Sequence, residues 1–301
     1  MMMNIKRSPF FYVGDKYKLM PQLIELFPKD IDGYYEPFCG GGSSFLNTSA
    51  RRFIVNDIDR YIIKLHKFFQ DNAAQSDKLI SDLYALIEYY GLSCSYLGIQ
   101  VPDELKRQFV KTYYARNNKE AYIKMRADFN ENQDDMKLLY LLLIYGFNHM
   151  IRFNLKGSFN LPVGNVDFNN NVSKALNGYF DFILENDISF LNLDYKEFLK
   201  KQKFSNKDFV YCDPPYLISQ SEYNKLWDED KERELYETLD WLDKKGVRFG
   251  LSNLVNHKGQ ENTILVEWMK NYKFYSINSN YISYNDNTIK QDTQEVYVTN
   301  G

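Results

Sequence analysis

The stretch Phe209-Val210-Tyr211-Cys212-Asp213-Pro214-Pro215-Tyr216 decides the fold prediction, because an apolar strand in it runs directly into two prolines. Four apolar residues in a row predict a buried strand. Proline cannot donate to the ladder of a central strand, so the strand has to end at Asp213. The strand end then presents a carboxylate, a proline carbonyl and an aromatic ring. These groups suit a planar ring that carries an NH2 group, such as a nucleobase. The alternative is a turn that merely closes the strand, since Asp and Pro are frequent in turns.

Strands and helices alternate on both sides of this stretch. Apolar segments typical of strands lie at residues 34–38, 53–57, 188–193, 247–252, 274–282 and 295–299. Segments with helical spacing lie at residues 16–27, from 43, at 58–70, from 195 and at 231–245. Such alternation predicts an α/β fold with a doubly wound sheet.

The pattern changes between residues 70 and 175. Helical segments near 77–90, 103–116 and 134–146 follow one another without strands, and a polar, loop-rich segment covers 148–171. Binding residues favour such loops on rigid scaffolds. We therefore predict one domain formed by residues 1–70 and 176–301, with an inserted helical subdomain at 71–175.

A glycine-rich turn follows the first predicted strand. The segment Glu36-Pro37-Phe38-Cys39-Gly40-Gly41-Gly42-Ser43 lets the backbone approach a ligand closely. Asp57 ends the next strand, where an acid can bind both ribose hydroxyls. Phe45 stands where a dinucleotide fingerprint needs a third glycine, and no P-loop lysine is present. An adenosine cofactor without phosphates fits this pattern better, and a glycine turn used only for packing is the alternative.

Composition excludes several classes of protein. The chain has 301 residues, 44% of them hydrophobic, which is enough to bury a core. Neither a membrane span nor a secretory signal is evident, and three scattered cysteines indicate a reduced, cytoplasmic setting. The three histidines have no metal-ligand spacing, so we predict no metal centre. A net charge of −3 counts mildly against a nucleic-acid binder, although phosphates respond to local charge.

Taken together, these motifs resemble the Dam-like α group of DNA adenine-N6 methyltransferases, in the family's order and over nearly the full length. The resemblance implies a Rossmann-like sheet that binds S-adenosyl-L-methionine, with the insert serving as a target-recognition subdomain. Residues that it assigns to the cofactor are Tyr12, Lys16, Phe38, Gly40, Gly42, Asp57, Asp194 and Asp213. Residues that it assigns to catalysis are Asp213, Pro214 and Tyr216. Those assigned to DNA are Asn148, Arg152, Asn154 and Pro162.

The implied reaction needs an extruded base, because an adenine amine inside a duplex cannot reach the cofactor. Asp213 and the Pro214 carbonyl would accept hydrogen bonds from N6, and Tyr216 would stack on the base. Arg152 is our choice for reading a guanine edge, with a phosphate contact or a structural ion pair as the alternative. The substrate implied is double-stranded DNA with a short palindrome of the GATC or CATG type.

Departures from the family pattern leave the recognition sequence open. Asp15 stands where a glycine is usual, Phe11 replaces a base-contacting lysine of GATC readers, and Val166 replaces an aromatic residue. Rival readings are methyl transfer to cytosine N4, to RNA adenine or to a glutamine amide, and a non-catalytic DNA-binding module. A cognate restriction endonuclease acting on the same site is an expected partner of a modification enzyme.

Overall fold

Eight strands form one sheet within the described residues of this computed structural model, which are 5–219, 227–278 and 293–301. The strands are β1 Ile31–Glu36, β2 Ala50–Asn56, β3 Asp187–Leu191, β4 Phe209–Cys212, β5 Arg248–His257, β6 Gln260–Glu261, β7 Lys273–Ile277 and β8 Gln294–Thr299. The helices are α1 Met20–Leu26, α2 Arg60–Asn72, α3 Ser76–Tyr90, α4 Asp103–Gln108, α5 Tyr113–Glu131, α6 Met136–Ile144, α7 Asn170–Glu185, α8 Tyr195–Lys200, α9 Glu229–Lys244 and α10 Thr263–Trp268. This architecture confirms the predicted α/β fold.

The strand order is β3-β2-β1-β4-β5-β8-β7, and β6 pairs with β5. The first five strands are parallel, whereas β8 runs antiparallel to both β5 and β7. From β1 the chain builds outward through β2 to β3, and it then returns to build β4 and β5 on the other side. The order of strands therefore reverses between β1 and β4, and ligands of open α/β sheets bind at the carboxyl ends of the strands at such a point.

Both faces of the sheet are buried, which explains why its central strands are apolar without alternation. Successive residues of β4 belong to different cores: Phe209 and Tyr211 pack on one face, Val210 and Cys212 on the other. The first face is covered by α1, α2 and α7 together with α3, α5 and α6, and the second by α8, α9 and α10. The sheet is thus the middle layer of three.

The helices α3 to α6 lie between α2 and α7 in the chain, and α3, α5 and α6 share the core of the first face. Every residue of α6 except Lys137 is buried, and the helix packs against α2 as well as α5. The predicted boundary at residue 175 falls inside α7, which is one continuous helix. None of the described helices is both long and apolar enough to cross a bilayer.

Several predicted elements differ from those observed. The helix expected from Ser43 is wrong: only a short 3-10 turn, Phe45–Asn47, separates the glycine turn from β2, because Phe45 turns into the core. The helix expected at 103–116 is instead two helices, α4 and α5. The helix α7 was not predicted, because its asparagine-rich start reads as loop. The strand expected at 274–282 is observed as β7, which ends at Ile277. Residues 279–282 of the prediction lie outside the described residues.

Candidate active site

A cavity of about 270 Å³ lies where the strand order reverses between β1 and β4. Its walls are residues 12–16 before α1, residues 36 and 38–44 after β1, 57–59 after β2 and 213–216 after β4. The predicted site residues that line it are Tyr12, Lys16, Phe38, Gly40, Gly42, Asp57, Asp213, Pro214 and Tyr216. Parallel strands deliver the residues that follow them to one edge of the sheet, so distant motifs meet here.

The glycine turn after β1 is built so that its backbone borders the cavity. Gly40 and Gly42 adopt positive φ angles of 46° and 86°, a region that favours glycine. A Cβ at Gly41 would lie 2.9 Å from Cβ of Tyr12, so no side chain fits between the turn and the N-terminal segment. The missing side chains leave the turn as a bare backbone wall of the cavity.

Two buried side chains hold the peptide groups of Gly40. Its N–H donates to Asp57 Oδ2 at 2.8 Å, and its carbonyl accepts from His66 Nε2 at 2.8 Å. The other ring nitrogen of His66 accepts from the Tyr179 hydroxyl at 2.7 Å. Burial lowers the pKa of His66 to about 4, so the ring is neutral and donates through Nε2 alone. His66 had no sequence signal that marked it as part of the site.

Asp57 and Asp59 form the acidic wall after β2. Asp57 Oδ1 accepts from the Asp59 backbone N–H at 2.9 Å, and the Tyr12 hydroxyl donates to Asp59 Oδ2 at 3.3 Å. Burial raises the pKa of Asp57 to about 6 although the backbone N–H groups of Gly40, Ile58 and Asp59 stabilise its charge. A carboxylate held in this way is a strong acceptor for paired hydroxyl groups.

Lys16 and the Asp-Pro-Pro-Tyr corner form one polar cluster. Lys16 Nζ lies 2.9 Å from Asp213 Oδ1, and the Tyr216 hydroxyl lies 3.0 Å from the same oxygen. The ammonium is also 4.8 Å from the centre of the Tyr216 ring. Burial acts to lower the pKa of Lys16, but the charges of Asp213 and Glu295 outweigh it and leave that pKa raised. Lys16 therefore stays cationic, while burial still raises the pKa of Asp213.

Three carboxylate oxygens at the cavity have spare hydrogen-bonding capacity. Asp213 Oδ2 makes no hydrogen bond within the part of the chain described, because Lys16 and Tyr216 both approach Oδ1. Asp15 Oδ2 and Glu36 Oε2 are buried oxygens with no partner among the described residues. Burial raises the pKa of both groups, and the nearby charge of Asp213 adds to the effect on Glu36. Buried polar atoms normally find partners, so these oxygens point to an absent ligand with donors.

Asp194 does not line the cavity. It is exposed and caps α8, where its Oδ1 accepts from the Lys196 N–H at 2.9 Å. The neighbouring Tyr195 packs at 5.2 Å against the ring of Phe38, which does line the cavity. A role for Asp194 at the cofactor stays a prediction.

None of the residues assigned to DNA lines the cavity. Two of them, Arg152 and Asn154, lie on a hairpin. Residues 153 and 159 form an antiparallel bridge, and Asn154 Oδ1 accepts from the N–H groups of Lys156 and Ser158 to shape the turn. Arg152 donates through Nε and Nη2 to Asn160, at 3.0 and 2.9 Å. Arg152 thus has a structural role through hydrogen bonds to a neutral residue, with no ion pair among the described residues, and its Nη1 makes no hydrogen bond to them. Its role at a guanine edge stays a prediction.

The other two residues assigned to DNA flank the hairpin. Asn148 is exposed and has a positive φ of 54°. Pro162 is also exposed, and its carbonyl accepts from the Phe147 N–H at 2.9 Å. Backbone strain at a non-glycine residue such as Asn148 is common at functional sites.

Comparison with known proteins places these features in a family. The chain is 32% identical to the type II methyltransferase M.FokI of Planomicrobium okeanokoites over 98% of this chain and 43% of that protein. It is 24% identical to the type II methyltransferase M1.LlaDCHI of Lactococcus lactis subsp. cremoris, over 99% of this chain and 96% of that protein. The DNA adenine methylase of Escherichia coli K12 is 29% identical over 71% of this chain. The chain thus spans less than half the length of M.FokI.

A family profile decides the assignment. It matches residues 12–282, which include the N-terminal segment, the glycine turn, the hairpin and the Asp-Pro-Pro-Tyr corner. The cavity, its carboxylates and this match agree: the chain belongs to the D12 class N6 adenine-specific DNA methyltransferase family.

Proposed function

We propose that this chain transfers a methyl group from S-adenosyl-L-methionine to N6 of an extruded adenine in double-stranded DNA. The observation that carries the proposal is the position of Asp213. Its Oδ1 is engaged by Lys16 and Tyr216, its Oδ2 has spare capacity, and it borders the same cavity as the glycine turn and Asp57. An acceptor for an NH2 group thus lies beside a site suited to a nucleoside.

The residues around the cavity fit the proposed cofactor. S-adenosyl-L-methionine carries a cationic sulfur, an α-ammonium group and two ribose hydroxyls, all of which suit carboxylate neighbours. Asp57 is proposed to accept from the ribose hydroxyls, and the unpartnered oxygens of Asp15 and Glu36 supply acceptors for a cationic end. When bound, the cofactor supplies a methyl group on a positively charged sulfur. The bare backbone of Gly40 and Gly42 leaves room for it.

Asp213 and Pro214 are proposed to act on the amine itself. The N6 lone pair is delocalised into the purine ring, so N6 is a poor nucleophile. Two acceptors, Asp213 Oδ2 and the Pro214 carbonyl, hold both N6 hydrogens and direct the lone pair out of the ring plane. N6 loses one proton on methylation, and we assign its acceptance to the Asp213 carboxylate, whose pKa burial raises. Lys16 keeps the Asp213 carboxylate oriented throughout.

Target recognition is assigned to the inserted part, residues 71–175, and to its hairpin. Asn148, Arg152, Asn154 and Pro162 lie on or beside that hairpin, and the remaining Arg152 nitrogen is our candidate for a guanine edge. The proposed site is a short palindrome of the GATC or CATG type. The type II relatives support a modification role with a cognate endonuclease.

Methyl incorporation tests this function directly. The purified chain would be given tritiated S-adenosyl-L-methionine with unmethylated duplex DNA, RNA or a mixed protein acceptor. Label is expected in DNA alone, on N6-methyladenine after hydrolysis. Label on cytosine, on RNA or on glutamine would replace the proposal with that acceptor, and DNA binding without cofactor binding would indicate a scaffold. Methylation-sensitive nucleases for several adenine palindromes would then identify the site.

A further inference from the structure

The hydroxyl of Tyr216 lies between two carboxylates that belong to different parts of the fold. It is 3.0 Å from Asp213 Oδ1, within its own corner, and 3.0 Å from Glu295 Oε1 on β8. The tyrosine oxygen lies on the axis about which the ring turns, but a phenolic O–H prefers the plane of its ring, so hydrogen-bond partners on two sides of the oxygen favour one orientation of that plane. The orientation of Tyr216 is thereby tied to a strand outside the Asp-Pro-Pro-Tyr motif.

Glu295 is a rigid anchor for this contact. It is 1% exposed, and it pairs with Leu254 of β5 in the antiparallel part of the sheet. The next four residues of β8 are buried as well, so the strand cannot shift without disturbing the core. Because burying a charged carboxylate is costly, its retention in such a strand calls for a specific partner.

Glu295 does not line the cavity, whereas Tyr216 does. Glu295 therefore acts on the site through its neighbour and not by touching a ligand in that cavity. Asp213 Oδ1 already accepts from Lys16, so a second acceptor on Tyr216 lets its single hydroxyl proton be shared away from Asp213. The Tyr216 ring is thereby held by contacts with both Asp213 and Glu295.

We propose that Glu295 is a positioning residue, which holds the Tyr216 ring in the plane that stacks on the extruded base. This inference rests on the proposed function, because it assumes that a flipped adenine meets Tyr216. Stacking depends on the plane of the ring, and a displacement of about 1 Å at a reacting group costs up to about a hundredfold in rate. Loss of the contact with Glu295 is expected to cost about tenfold.

Two variants of similar volume separate the hydrogen bond from mere packing. Glu295→Met fills the space but has no acceptor for the Tyr216 hydroxyl, whereas Glu295→Gln keeps an acceptor oxygen. We expect the single-turnover rate of methyl transfer to fall about tenfold in Glu295→Met and less than threefold in Glu295→Gln. Gln294→Met, a change at the exposed neighbour on β8, is the matched control.

A double-mutant cycle with Tyr216→Phe identifies the route of the effect. In the Tyr216→Phe background, which lacks the hydroxyl, Glu295→Met should cause no further loss of rate. Affinity for S-adenosyl-L-methionine, measured by calorimetry, should change less than twofold in every variant, and this readout also reports whether the fold is intact.

The outcomes separate this inference from the proposed function. An active wild type with Glu295→Met at the same rate would overturn the inference alone. An equal loss in both backgrounds, or a parallel loss of cofactor affinity, would also overturn it, because Glu295 would then act by another route. A wild type that methylates no DNA would overturn the proposed function and this inference with it.

Discussion

The cavity at the edge of the sheet and the hairpin around Arg152 hold their polar side chains in opposite ways. At the cavity, Asp15 and Glu36 each have a buried oxygen with no partner among the described residues, which is costly, and Asp213 Oδ2 makes no hydrogen bond to those residues either. On the hairpin, Arg152 and Asn154 instead make hydrogen bonds to other residues of the hairpin. The comparison teaches that the cavity is prepared for a ligand of fixed shape. The hairpin uses most of these groups to hold its own shape, and we propose that the remaining Arg152 nitrogen meets the target.

The largest effect is expected at the spare oxygen of Asp213. Asp213→Asn keeps an oxygen for Lys16 but replaces the N6 acceptor with a donor, so we expect methyl transfer to fall about a thousandfold. Cofactor affinity should fall less than threefold. Single-turnover rates and calorimetry measure the two, with Asp187→Asn, an exposed aspartate on β3, as the matched control. If the variant's rate stays within tenfold of wild type, the free Asp213 oxygen has no catalytic role.

The second prediction concerns the brace on the hairpin. If Arg152 reads a guanine, Arg152→Ala should lower discrimination against a changed base pair by about ten- to a hundredfold. Asn160→Ala removes the hydrogen bond from Arg152 Nε to the Asn160 side chain but keeps the one from Nη2 to the Asn160 carbonyl, so it should weaken binding about threefold while keeping discrimination. Fluorescence anisotropy with matched and single-mismatch duplexes measures both. If both variants lose binding and discrimination to the same extent, Arg152 acts only in holding the hairpin and does not read the guanine.

The third prediction uses the pKa of Asp57, which burial raises to about 6. The ionised group is the one that accepts from ribose, so cofactor affinity should fall about tenfold between pH 7 and pH 5. Asp57→Asn should bind weakly at both pH values and show no such slope. Calorimetric titration across this range provides the measurement. A wild-type affinity that stays level would mean that Asp57 does not meet the ribose.

The smallest effect is on the stability of the ligand-free protein. Because the folded pKa of Asp57 lies above its ordinary value of 3.8, the folded state binds the proton more tightly. Its contribution to stability is therefore complete below pH 3.8 and is lost as the pH rises through about 6. Thermal unfolding between pH 4.5 and 7 should show a shallower fall in Asp57→Asn. Identical slopes in the two proteins would contradict the raised pKa.

Sequence patterns predicted the strand ends well and the irregular parts poorly. Gly40, Asp57 and Asp213 were found because each directly follows a strand, and parallel strands share one carboxyl edge. Lys16 was found from the family's N-terminal motif. Glu295 was missed although an acid in an apolar strand was a usable signal, because its partner Tyr216 lies 79 residues away.

Pairing between side chains was not predictable from local pattern. The bond between Arg152 and Asn160 depends on the hairpin closing at residues 153 and 159, which no periodicity reports. The start of α7 looked like loop, yet Asn169 caps it by accepting from the N–H groups of Asn171 and Val172. The local composition therefore predicted a loop where tertiary packing and the Asn169 cap stabilise the start of α7.

The burial of α6 has a consequence for engineering new specificities. Its five leucines contribute on the order of 10 kcal/mol through burial, which is comparable with the whole stability of a domain. We expect that excising or exchanging residues 71–175 as a cassette would expose the core of the first face, in which α6 is buried, and would destabilise the whole fold. Grafts between relatives should instead be confined to the exposed turn of the hairpin at residues 154–157, because Ile151, Phe159 and Leu161 of the same hairpin are buried in the core.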